Sequence, residues 1–207
     1  MGLSDDLGFS STPPDVVGLF HDTLLVCGSG RGLWGDIAAY TMRRGQGVHG
    51  EPTCDTMAVK QAGMYLPWRF QHWAGAHGER FQYMAPLRRE GYYFRGMDKG
   101  QRGVHPQKLG AKIHSEKAWP LVDHVWGCKM VGTSALFAVR VGLMLGYDEV
   151  VLCGVPLDTT GRFYDAPWDK GVDLNVVDMA EWEQFLPFMK GRVKSMSGRT
   201  RDLLGGI

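Results

Sequence analysis

The chain has no CxxC pair, no strong charge of either sign, no histidine after His124 and no apolar run near the roughly 20 residues of a membrane span. Each absence excludes something. The four cysteines, Cys27, Cys54, Cys128 and Cys153, are too widely spaced for a zinc knuckle or a compact disulfide framework. Cys27 and Cys153 fall inside apolar runs, where a thiol behaves as a small hydrophobe, so all four read as reduced and the setting as cytoplasmic. A formal net charge of +1 gives no electrostatic case for nucleic acid or an anionic membrane surface. The N-terminal stretch is acidic and lacks the apolar core of a signal peptide. No repeat at a solenoid period is present.

What is there is organised around residues 130–158. Gly132, Thr133 and Ser134 form a polar turn, and either hydroxyl residue suits the cap of a following helix. Residues 135–145 are apolar except Arg140 and Gly142, which predicts a helix packed on most of its circumference, with Gly142 allowing a close approach to a sheet. Gly146 stands where a left-handed helix stop belongs. Val150, Val151, Leu152 and Cys153 then read as a parallel strand covered on both faces, delivering Gly154 and Asp158 to its carboxyl edge. Free N–H groups and two hydroxyls at the 132–134 turn make a candidate anion site.

The same grammar recurs earlier. Residues 23–27 read as a buried strand ending in Gly28, Ser29, Gly30, Arg31 and Gly32, with Leu33, Trp34, Ile37 and Tyr40 at helical spacing behind them. Strand, glycine turn and helix make half of a nucleotide-binding motif, although the third glycine of GxGxxG is absent and no GK[ST] follows. Residues 56–59 and 71–76 are further candidate strands, ending near Gln61 and His77. Polar groups at successive strand ends imply a parallel sheet with one ligand-gathering edge. The expected fold is therefore α/β: a Rossmann-like, mostly parallel sheet with helices on both faces. It forms a single domain over 15–207 behind a flexible arm at 1–14.

From 85 to 120 regular periodicity is lost and the residues turn basic and aromatic, which suggests a lid or partner-binding insertion. Basic and aromatic interleaving also fits single-stranded nucleic acid, against which the overall charge balance argues. Residues 178–189 read as an amphipathic helix that Pro187 bends or ends. Residues 192–198 read as a last strand and turn, and 200–204 as a closing helical turn. His72 and His77 would face opposite sides of a strand, and His124 and Cys128, spaced as helix neighbours, have no second ligand pair, so no metal site is expected.

The glycine turn, the second strand end and the central stretch together resemble the bacterial sialyltransferases of glycosyltransferase family 42 and their motility-accessory and pterin-pyrophosphokinase-like relatives. The resemblance rests on Gly28, Ser29, Gly30, Arg31, Gly32 and Leu33, on Gln61, on Thr133, Ser134 and Ala135, on Leu145, Gly146 and Tyr147, and on 154–158. It covers about a third of the chain. It implies a CMP-sugar donor contacted by Ser29, Gly30, Gln61, Thr133 and Ser134, with no cofactor beyond the nucleotide-sugar; Gly28 and Gly132 belong to the same nucleotide-holding turns, and Tyr164 stands beside Asp158 at the sheet edge. The family's general-base histidine lies beyond its last motif, where this chain has none.

A base must therefore come from elsewhere. Asp158 is the best-placed carboxylate, with His77 or His105 able to fold over it, and Arg95 or Arg102 could clamp phosphate. Alternatively, Asp158 and Asp165 could hold Mg²⁺ on a diphosphate for diphosphoryl transfer. The remaining alternative is a catalytically silent Rossmann-like binding or structural module, phage-encoded in one version, using its basic, aromatic segment on a partner. A glycan or protein acceptor and a homo-oligomer both stay open.

Overall fold

The computed structural model describes residues 7, 21–48, 50–90, 111–127, 132–165 and 177–207. Its elements in chain order are β1 (Thr23–Cys27), α1 (Leu33–Arg44), β2 (Asp55–Val59), the single-turn α2 (Ala62–Tyr65), β3 (His72–Gly75), α3 (Phe81–Glu90), β4 (Lys112–Ser115), β5 (His124–Val125), α4 (Ser134–Met144), β6 (Glu149–Cys153), α5 (Val177–Met189), β7 (Val193–Ser195) and α6 (Gly198–Leu204). The strands form one seven-stranded sheet in the order β5-β4-β3-β2-β1-β6-β7. Every pairing in it is parallel. This is the expected α/β, Rossmann-like architecture.

The strands form because alternate residues find apolar cover on both faces. Leu24, Val26, Met57, Val59, Val150 and Leu152 pack beneath α4 and α5. Leu25, Cys27, Ala58, Trp73, Val151 and Cys153 pack against α1, α2 and α3. α4 lies close to the sheet because Gly142 has no side chain; a Cβ there would stand 2.7 Å from Leu24 Cδ2. Thr133 caps α4, its hydroxyl accepting from Leu136 N at 3.1 Å. Gly146 follows the helix in the left-handed region, at φ +95. No helix among the described residues is long and apolar enough to cross a membrane.

Three expectations need correction or narrowing. Residues 85–120 are not irregular throughout: α3 runs to Glu90 and β4 spans Lys112–Ser115, while 91–110, with His105, Arg95 and Arg102, lie outside the described residues. The helix expected at 178–189 is present as α5, with Pro187 inside it. His124 is a strand residue, so it has no helical relation to Cys128, which is also outside the described residues. Within the 1–14 arm, Leu7 is buried in the core, and its carbonyl accepts from Arg140 Nε at 2.6 Å.

Candidate functional site

The chain leaves β1 for β2 on one side and returns to β6 on the other, so the sheet order reverses between β1 and β6. In open α/β sheets the crevice beyond the carboxyl ends of such a pair receives ligands. Here the two strand ends are joined closely. Gly28 N donates to Cys153 O at 2.8 Å, and Gly30 N donates to Gly154 O at 2.7 Å. The contact requires glycine: a Cβ on Gly28 would lie 2.5 Å from Gly154 O and 2.6 Å from Val155 Cγ2.

The loop after β6 then folds back as a strap over the glycine turn. Arg31 N donates to Gly161 O at 3.1 Å, Phe163 N donates to Ser29 O at 3.0 Å, and Gly30 and Arg162 form an antiparallel bridge. With Leu33 N bonded to Gly30 O, the N–H groups of residues 28, 30, 31 and 33 all have partners inside the protein. The turn is thus a joint between two loops, and those donors do not face a phosphate.

Asp36, buried in the first turn of α1, braces the joint. Its Oδ2 accepts from Gly154 N at 2.8 Å and from Ser197 Oγ, after β7, at 2.6 Å. One carboxylate therefore ties α1 to the loops after β6 and β7.

The strap brings an aromatic group to this edge. The Phe163 ring centroid lies 5.6 Å from that of Trp34, 4.9 Å from Tyr65 and 5.1 Å from Tyr164. Tyr65 and Tyr164 stack with planes 5° apart, and Arg162 lies over the Tyr164 ring. Burial raises the Tyr164 phenol above its ordinary pKa, and Ser29 and Arg162 are among its neighbours. Such a cluster offers faces for a planar ring or a sugar. Two residues that follow strands at this edge carry backbone strain: Lys60, after β2, at φ +46, and Leu157, after β6, at φ +50. Non-glycine residues held in that region tend to collect at functional sites.

Of the residues expected to bind, Gly28, Ser29, Gly30 and Tyr164 meet at the β1–β6 junction. Gln61 directly precedes α2, the helix that ends in Tyr65. Gly132, Thr133 and Ser134 sit farther along the same edge, over β3, because Ser134 Oγ accepts from Ala76 N at 3.3 Å. β2 separates the two turns. Thr133 Oγ1 is held by Leu136 N and by Trp182 Nε1. A Cβ on Gly132 would lie 2.8 Å from the Glu181 carboxylate, so negative charge already stands at the turn expected to take an anion.

Of the expected catalytic residues, Asp158 closes its own turn, Oδ1 accepting from Thr160 N at 2.9 Å and Thr160 Oγ1 at 2.5 Å. Asp165 does the same with Arg162 N. His77 is half exposed and faces Glu79 at 3.6 Å. No group of three or more His, Cys, Asp or Glu suited to a metal occurs among the described residues. Cys27, Cys54 and Cys153 are free thiols whose pKa values burial raises, Cys54 to about 11, so none supplies a thiolate nucleophile at neutral pH.

Trp34, Phe163 and Asp36 had no part in the expected site. Aromatic spacing after the first glycine turn was visible, but its meeting with 163–164 depends on a long-range pairing. The chain matches no family model, no curated protein and no solved structure. What its fold defines is an α/β, Rossmann-like protein with a braced switch point.

Proposed function

We propose that the protein binds a nucleotide-sugar at the carboxyl edge outside β1, β2 and β6, and transfers the sugar to an acceptor hydroxyl. The observation that carries this reading is the stacked pair Tyr65 and Tyr164 with Phe163 edge-on to both, at a sheet edge where Lys60, after β2, and Leu157, after β6, hold positive φ. In this reading the nucleoside is recognised by its ring faces, and the phosphate lies outward of the glycine turn, whose N–H groups at 28, 30, 31 and 33 are engaged. The resemblance suggests a CMP-sugar. Asp158 would serve as base: Thr160 fixes Oδ1, leaving Oδ2 as the atom to take the acceptor's proton while the acceptor oxygen displaces the nucleotide.

The engaged turn favours a second reading, a nucleotide-binding module without turnover. Two experiments separate the readings. A thermal-shift screen with CMP, UDP, GDP and ATP, with and without Mg²⁺, tests binding, because stabilisation grows with ligand concentration over Kd. Release of nucleotide from CMP-, UDP- and GDP-sugars, compared with the Asp158→Asn protein, tests transfer. Stabilisation with Asp158-dependent release supports the first reading, and stabilisation without release supports the second. A response only with Mg²⁺ favours diphosphoryl transfer, and no response to any nucleotide removes both readings.

A further inference from the structure

On the face of the sheet beneath α4, five side chains from distant parts of the chain form one buried line. Trp126 Nε1 donates to His114 Nδ1 at 3.1 Å. His114 Nε2 meets His72 Nδ1 at 3.0 Å, and His72 Nε2 meets the Tyr147 hydroxyl at 2.9 Å. That hydroxyl donates to Asp55 Oδ2 at 2.8 Å. All five residues are at most 2% exposed. The line begins on β2, passes through Tyr147 ahead of β6, crosses β3 and β4, and ends just past β5.

Its direction is fixed by its ends. An indole N–H can only donate, and a carboxylate can only accept. His114 must therefore accept at Nδ1 and donate at Nε2, and His72 must do the same. Both imidazoles are neutral and share one tautomer. An added proton has no place in this arrangement. On His114 it would set Nδ1–H against the indole N–H. On His72 it would set Nδ1–H against His114 Nε2–H, and reversing His114 only moves the clash to Trp126.

We propose that this line is an acid-sensitive latch holding β3, β4 and β5 onto the rest of the sheet. Protonation of either histidine breaks it and releases that half first. The surroundings favour the neutral state. His124, on β5, stacks on His114 at 5.1 Å between centroids, and Lys112 lies on β4 beside it, so two further groups oppose positive charge there. Asp123 lies next to His124 and pairs with Lys112, while Cys54 adjoins Asp55. From α4, Arg140 Nε donates to Leu7 O and its guanidinium lies over the Phe185 ring. Burial accordingly lowers the pKa of both line histidines, that of His72 to about 4.

The test is segment-resolved amide hydrogen exchange on the full chain between pH 7.5 and 4, corrected for intrinsic rates. The expected result is that β3, β4 and β5 lose protection at higher pH than β1 and β6, with opening constants rising about tenfold per pH unit for each proton taken up. The double variant His72→Gln/His114→Gln keeps a donor and an acceptor at each position but cannot titrate, and should retain protection to lower pH. Should that variant not fold, nitrogen-15 shifts of the wild-type imidazoles decide: both must report the Nε2–H tautomer at pH 7.5. Simultaneous loss of protection across the sheet, or either histidine in the opposite tautomer, overturns the latch.

Discussion

Gly30 donates its backbone N–H to the carbonyl of Gly154 at 2.7 Å. This bond joins the loops after β1 and β6 where the strand order reverses, and it turns a sequence expected to cradle phosphate into a structural joint. Any ligand at this edge meets the aromatic strap folded over the joint.

Closeness at the joint makes Gly30→Ala costly. The new Cβ would lie 2.8 Å from Gly154 O and run into Pro156 Cδ. Overpacking of this kind costs about 1–3 kcal/mol. Gly35→Ala is the matched control, since nothing lies within 4 Å of its Cβ and it sits within α1. That change should gain up to about 1 kcal/mol from helix propensity. Urea denaturation midpoints should move in opposite directions for the two variants.

Asp36→Ala removes an ionised acceptor from two donors, Gly154 N and Ser197 Oγ. Leaving the buried N–H without a partner and losing a charge-assisted bond should cost about 2–4 kcal/mol. Ser197→Ala removes one of the two donors and should cost about 1 kcal/mol. Equal effects from the two variants in denaturant titrations would count against the brace.

Stability should fall with acid in a defined window. His72 has a folded pKa of about 4, below its ordinary 6.5, because burial disfavours the imidazolium. The unfolded chain therefore takes up the proton first. The contribution is fully present above pH 6.5 and is lost as pH falls towards 4, amounting to about 3 kcal/mol for this residue alone. Urea melts at pH 7.5, 5.5 and 4.5 should show a falling unfolding free energy, and a flat profile would contradict the buried neutral assignment.

If the strap rings contact the nucleotide, Tyr65→Ala should weaken binding. A base stacked on an aromatic ring contributes about 1–3 kcal/mol, roughly 5- to 150-fold in Kd. Tyr83→Ala, altering an exposed tyrosine on α3, should leave Kd unchanged. Calorimetric titration of both variants measures the contrast.

The sheet's centre was legible because its strands are short apolar runs. Leu24 to Cys27 and Val150 to Cys153 are buried on both faces and read as such. β4 and β5 were not legible, since KIHS and HV look like loop in a hydropathy reading. His114 is fully buried only because His72, from another strand, and Trp126 satisfy its nitrogens. The glycine turn was placed correctly in the chain, and Gly142 and Gly146 took their expected roles. That its N–H groups at 28, 30 and 31 are engaged could not be read, because Cys153, Gly154 and Gly161, which accept from them, lie more than 120 residues away in the chain. α5 was legible at 178–189, with Pro187 inside its last turn.

The central claim is a nucleotide site at the switch-point edge. The most direct measurement compares amide hydrogen exchange of the full chain without nucleotide and with a saturating amount of the nucleotide that stabilises it most. Slowed exchange at 29–34, 60–66 and 157–165, with β3 to β5 unchanged, is the predicted result. Protection confined to other segments, or no nucleotide that binds at all, would contradict it.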